Sequence, residues 1–141
     1  MSREAAYSEY RAISVVVYVG PPGVGKTKAT TMWNYEKQCV LSINTPKQWF
    51  DDYQGQENIL MHEYTGQWPL EKFLTRTDGA SPRFEEVKGG GIYLTNTSWT
   101  FTSNLHPSEW YPHASDYHKQ AVMRRLTKIF VWDGSQFIKE P

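Results

Sequence analysis

Cysteine is almost missing from this chain of 141 residues: Cys39 stands alone, so no internal disulfide forms and a reducing, intracellular compartment is expected. Long apolar runs are missing too. The longest, residues 15–19, falls far short of the roughly 18 residues that span a bilayer, so no membrane partner is expected. Residues 1–12 mix both charge signs without an apolar stretch and do not read as a signal peptide. Net charge is absent as well. Fifteen Lys and Arg balance fifteen Asp and Glu, and this total alone gives no hint of a polyanionic partner. What the chain does have is 39% apolar residues and abundant aromatics, 6 Trp, 9 Tyr and 6 Phe. That composition excludes a disordered chain, and the length suits one domain with a real core. The reading is a short segment, residues 1–12, followed by one domain over residues 13–141.

Charge by segment says more than the total. Residues 13–50 carry Lys26, Lys28, Lys37 and Lys47 against Glu36, and residues 51–63 carry only Asp51, Asp52, Glu57 and Glu63. Apolar patterning predicts buried strands at residues 13–19, 40–43, 58–61, 99–102 and 129–132, the first fully buried and the last ending the series. Helices are predicted at residues 28–36, 70–75 and 117–127, with Leu70, Phe73 and Leu74 on one face of the second. Gly89, Gly90 and Gly91 read as the turn of a hairpin between residues 84–88 and 92–94. Strands that alternate with helices predict an α/β fold with a mostly parallel sheet flanked by helices.

Gly20, Pro21, Pro22, Gly23, Val24, Gly25, Lys26 and Thr27 fit G-x4-G-K-[ST] in full. Glycines let such a loop wrap until backbone N–H groups point inward at phosphate oxygens. A helix beginning near Lys28 would add its N-terminal dipole. Lys26 is the mobile charge for the β- and γ-phosphates, and the Thr27 hydroxyl is a ligand for Mg²⁺. Hydrolysis of a triphosphate also needs an acid beside the γ-phosphate, typically at the end of a neighbouring buried strand. Glu63, closing Asn58-Ile59-Leu60-Met61-His62-Glu63, fits that place. His62 fits less well. Mg²⁺ prefers oxygen, so a neutral imidazole there contacts a metal-bound water, packs, or points away. No Asn-Lys-x-Asp guanine-reading motif is present, and no Arg-rich lid of a small-molecule kinase is evident.

Three stretches complete the pattern after GPPGVGKT: KQWFDDYQGQENILMHEYTGQWPLEKFL, EEVKGGGIYLTNTSWTFTSNLHPSEWY and AVMRRLTKIFVW. Together, over residues 13–132, they resemble the superfamily 3 helicase domain of replication-associated (Rep) proteins of circoviruses and related circular single-stranded DNA viruses. The resemblance implies a P-loop NTPase fold of the ASCE/AAA+ kind with a β-hairpin insertion. It implies a helicase that hydrolyses ATP with Mg²⁺ to unwind DNA during rolling-circle replication. It makes residues 20–27 the Walker A loop, Glu63 the second acid of Walker B and Asn104 the asparagine that orients water and senses the γ-phosphate. Lys88, with Gly89 and Gly90, becomes the hairpin that touches single-stranded nucleic acid. Arg124 or Arg125 becomes an arginine finger reaching a neighbouring subunit of a homo-oligomeric ring, expected as a hexamer. It also implies the host nucleus as the place of action, and makes residues 1–12 a remnant of an oligomerisation segment or a linker.

The departures from that family are specific. His62-Glu63 stands where circovirus proteins have two acids, which questions metal affinity and hydrolysis rate. None of His62, His106, His113 or His118 forms a His-apolar-His nuclease motif, so nicking is not assigned to this chain. Three alternatives stay open: an RNA helicase of the same superfamily, a nucleotide-binding but hydrolysis-poor endogenised fragment, and a small P-loop kinase. Trp33, Trp49, Phe50, Tyr53, Trp68, Trp99, Trp110 and Trp132 are read as packing residues, and Cys39 as a small buried hydrophobe.

Overall fold

The first strand shows why a sheet forms here. Ser-Val-Val-Val-Tyr-Val is dense in β-branched side chains, which lose little freedom on a pleated surface, and it becomes β1 (Ser14–Val19). The computed structural model describes residues 12–26, 38–42, 50–80 and 82–141. Within them β1 lies inside a six-stranded sheet with β2 (Gln38–Ser42), β3 (Asn58–His62), β6 (Ser98–Ser103), β7 (Lys128–Trp132) and β8 (Phe137–Lys139). The order is β2-β3-β6-β1-β7-β8, with every pairing parallel except the last. Two central strands are almost wholly buried, as expected of parallel strands covered on both faces.

The predicted strands all form, with two corrections. β1 is not fully buried: Val15, Val17 and Val19 are, whereas Ser14, Val16 and Tyr18 are half-buried on the other face. There Tyr18 stacks on Phe130 at 5.0 Å and meets Phe137 edge-on at 5.4 Å. Nor does β7 end the series, because Phe137–Lys139 turns back along it as β8. The turn between them is built by Asp133, whose Oδ1 accepts hydrogen bonds from the backbone of Ser135 and Gln136.

Parallel strands require crossovers. Among the described residues stand two α-helices, α1 (Leu70–Arg76) and α2 (Asp116–Arg125). α2 begins at Ser115, whose hydroxyl caps the His118 N–H, and ends with Arg124 and Arg125 in its last turn, where the dipole favours cations. The predicted helix at residues 28–36 lies outside the described residues.

One face of the sheet carries the core. Register sets Ile59 and Val15 beside Trp99, and Met61 and Val17 beside Phe101. Trp99 and Phe101 stack at 5.8 Å, and Tyr64, Trp68, Phe73 and Trp110 close over them with ring centroids 4.8–6.5 Å apart. These rings, with Phe50 and Tyr53, are buried and bear out the packing reading; Trp132 is only half-buried, while Trp33 and Trp49 lie outside the described residues.

β4 (Phe84–Val87) and β5 (Gly90–Tyr93) form an antiparallel hairpin outside the large sheet. Its turn is Lys88-Gly89, not the three glycines: Gly90 and Gly91 already pair with Val87 and Glu86. A buried polar network fixes the hairpin to the body. Glu85 takes two hydrogen bonds from Arg76, at 2.7 and 2.8 Å, and the Arg76 guanidinium lies over Trp68 and Phe50 at 4.6 and 5.0 Å. Arg83 donates to the side-chain and backbone oxygens of Asn96 at 2.9 and 2.7 Å, and to the Arg76 carbonyl at 3.1 Å.

Candidate functional site

In open parallel sheets ligands collect beyond the carboxyl ends of the strands. Three of the expected site residues follow those ends: the loop from Gly20 follows β1, Glu63 follows β3 and Asn104 follows β6. Because β6 lies between β1 and β3, all three meet around its last two residues, Thr102 and Ser103.

Each group hangs from that joint. The Gly20 N–H donates to the Ser103 carbonyl at 3.0 Å, which fixes the start of the loop. The Glu63 N–H donates to Thr102 Oγ1 at 2.9 Å, and the Tyr64 N–H donates to the Thr102 carbonyl at 2.8 Å. Ser103 Oγ donates to the Leu105 carbonyl at 2.7 Å and accepts from the Trp110 indole N–H at 3.0 Å, shaping the turn that presents Asn104. Both Thr102 and Ser103 are buried, and Asn104 and Glu63 are exposed above them. Among the described residues Glu63 is the only non-glycine with positive φ, at 56°. A non-glycine held there costs about 1 kcal/mol or more, and such strain concentrates at functional positions.

The loop has the shape of a phosphate cradle. Gly23 and Gly25 adopt φ of 85° and 91°, which side-chain-bearing residues rarely reach. Lys26 is buried and its ammonium donates to the Gly20 carbonyl, curling back inside the loop. Burial lowers its pKa from the ordinary lysine value, while the Glu63 carboxylate acts in the opposite sense. The two residues are therefore within electrostatic reach of each other. A buried ammonium held by a carbonyl suits an anion that would replace it as partner.

His62 is half-buried, and burial lowers its pKa, which favours the neutral ring. Its Nδ1 lies 3.5 Å from Thr102 Oγ1. The Thr102 hydroxyl can thus accept from Glu63 and donate to a neutral His62, which ties the imidazole to the joint. Thr27 and Lys28 lie outside the described residues, so of the three metal contacts expected, only Glu63 and His62 are placed. No group of three or more His, Cys, Asp or Glu forms a metal cluster among the described residues.

The remaining expected residues stand apart. Arg124 and Arg125 close α2 just before β7, and Thr127 there exchanges two hydrogen bonds with Val15, at 2.7 and 2.9 Å. Val15 stands second in β1, whereas the loop follows the strand's last residue, so the end of α2 and the cradle lie toward opposite ends of β1. Arg124 is exposed beside Gln120, and the buried Nε of Arg125 has no hydrogen-bond partner. Lys88 sits exposed at the hairpin turn, and its backbone N–H donates to Asp51 Oδ1 at 3.0 Å. Sequence reasoning missed Thr102, Ser103 and the Arg76–Glu85 pair. Alternating Thr100 and Thr102 within an otherwise aromatic strand was the available signal.

An α/β sheet of parallel strands with a glycine cradle beyond β1 defines a fold compatible with P-loop nucleotide-binding proteins. The RNA helicase family matches residues 16–78. The chain is 31% identical over 135 residues to the replication-associated protein of Porcine circovirus 2, covering 89% of this chain and 42% of that protein. It is 31% identical over 127 residues to that of Pigeon circovirus (90% and 38%), and 28% identical over 116 residues to that of Beak and feather disease virus (82% and 38%). The chain thus spans about two-fifths of the curated relatives it matches. These matches support a helicase-type domain of a circovirus-like replication-associated protein.

Proposed function

We propose that this chain is the motor domain of a viral replication protein, hydrolysing ATP to move along a single strand and unwind duplex DNA during rolling-circle replication. The observation that supports this most is the Thr102-Ser103 joint, which gathers the glycine cradle, Glu63 and Asn104 at one edge of the sheet. A strand between β1 and β3 is also the arrangement expected of an ASCE/AAA+ ATPase with the β4–β5 hairpin as its insertion.

In this reading residues 20–27 wrap the phosphates and Lys26 leaves the Gly20 carbonyl for the β- and γ-oxygens. Glu63 orients and deprotonates the attacking water, and Asn104 holds that water against the γ-phosphate. Mg²⁺ would be held by Thr27 and, through water, by Glu63; it neutralises charge on the phosphates when bound. His62, neutral and tied to Thr102, is a partner for metal-bound water and not a direct ligand. Arg124 or Arg125, at the opposite end of the strands from its own chain's cradle, serves the next subunit in a ring. Lys88 tracks the phosphates of the strand.

ATPase rates with and without single-stranded DNA, wild type against Lys26→Ala, test the assignment. Stimulated turnover that Lys26→Ala abolishes is expected; equal rates in both proteins would falsify it. The family's RNA helicase description favours a second reading, with RNA as the track. Matched DNA and RNA duplexes decide between them, with faster unwinding of DNA expected.

A further inference from the structure

The outward face of the β4–β5 hairpin carries an aromatic ring that the core does not use. Phe84 is 50% exposed although it begins a strand that is anchored to the body through the next residue, Glu85. Alternation along β4 turns Glu85 inward and leaves Phe84 and Glu86 outward. Across the hairpin, Phe84 opposes Tyr93 and Glu86 opposes Gly91.

The ring is held by its surroundings. Tyr93 meets it edge-on, centroids 5.2 Å apart at 62°. On its other flank it lies across Gly91: a Cβ added there would stand 2.1 Å from Phe84 Cζ and 2.4 Å from Cε2. Only glycine admits the ring at that place, so the ring leans along the hairpin toward the Lys88 turn with one face on bare backbone. Half of the residue's surface is left to solvent.

We infer that Phe84 is a base-stacking platform, on which a nucleobase of the single strand lies while Lys88 takes the phosphates at the turn. This rests on the proposed role of the hairpin as the contact to nucleic acid. A phenyl ring already held by Tyr93 and the Gly91 backbone loses little freedom when a base covers its exposed side, and such stacking is tolerant of sequence because every base has a π-face. Glu86 stands on the same face between ring and turn. Its carboxylate turns phosphates away from the middle of the hairpin, which leaves the base to the ring and the backbone to Lys88.

The test compares binding of the 141-residue chain to labelled oligodeoxythymidine and to an abasic oligomer of equal length, by fluorescence anisotropy. Phe84→Ala weakens the thymidine oligomer about tenfold or more and leaves the abasic oligomer unchanged. Phe84→Tyr, which keeps the platform, binds both as wild type does. Lys88→Ala weakens both oligomers. If Lys88→Ala changes neither while Phe84→Ala still acts on thymidine alone, the platform stands and the role of Lys88 falls. Equal loss on both oligomers with Phe84→Ala, or no loss, overturns the platform. A change in sedimentation coefficient with Phe84→Ala also overturns it, because the ring then belongs to a contact between subunits.

Discussion

Thr102 shows how one buried hydroxyl can hold the backbone of a candidate catalytic residue. It accepts the Glu63 N–H at 2.9 Å, and so pins a residue whose backbone would otherwise relax from φ 56°. Thr102→Val keeps the shape and removes the acceptor. The expected result is an ATPase kcat lower by about tenfold to a hundredfold, because small displacements of reacting groups are costly, whereas Thr102→Ser stays close to wild type. Steady-state kinetics on the three proteins check it, and a Val variant as fast as wild type removes Thr102 from the mechanism. Cys39 makes a different prediction. Burial pushes its thiol up to about 11 from 9.0, with the Asp52 carboxylate adding to the effect. The unfolded thiol ionises first, so the fold loses stability as pH rises from about 9 toward 11, and none of this loss occurs below that window. Urea midpoints across that range should fall more steeply for wild type than for Cys39→Ala. Of the candidate site, Lys26 was legible in a motif of fixed spacing, Glu63 as the acid ending a buried strand, and Asn104 only through the family resemblance. Thr102 and Ser103 were not, because their roles arise from β6 lying between two strands distant in sequence.

The hairpin is held to the body by buried polar contacts. Arg76 and Glu85 form a buried ion pair at 2.7 Å beneath the aromatic cluster, and Arg83 and Asn96 form a second polar clasp alongside. Taking away one partner of such a pair leaves a buried charge and costs about 3–5 kcal/mol. Glu85→Ala is therefore expected to lower the denaturant midpoint severely. Joint replacement, Arg76→Met with Glu85→Leu, should recover much of that loss in stability. The recovered protein should still bind single strands less tightly, since the hairpin is then held without its directional contacts. If the double variant binds as wild type does, the pair sets stability alone. The hairpin itself was readable from its glycines, but its turn was not. Gly90 and Gly91 are needed to pair and to admit the Phe84 ring, and that need is visible only once the opposing strand is in register. β8 escaped for a similar reason: three residues without strong periodicity pair because Asp133 builds a turn that returns them to β7.

At the scale of the molecule, the parallel sheet has two unlike edges. Its carboxyl edge holds the glycine cradle, Glu63 and Asn104, and its amino edge holds the end of α2 with Arg124 and Arg125. In the proposed ring, that separation makes a neighbour in a head-to-tail contact the donor of any arginine that acts on the phosphate. This has a consequence that a monomeric enzyme cannot mimic. Lys26→Ala and the double variant Arg124→Ala, Arg125→Ala should each be inactive, for one lacks the cradle charge and the other the donated guanidinium. In a random mixture of equal parts, a contact works only where an intact cradle meets an intact arginine, which holds at about one contact in four for a head-to-tail ring. ATPase activity should therefore rise from near zero in either variant to about a quarter of wild type on mixing, at concentrations where the ring assembles. Activity that stays at zero in the mixture, with mixed assemblies verified by mass, means that the arginines and Lys26 do not act across one contact. Activity in the arginine double variant alone means that hydrolysis proceeds without a neighbour's guanidinium.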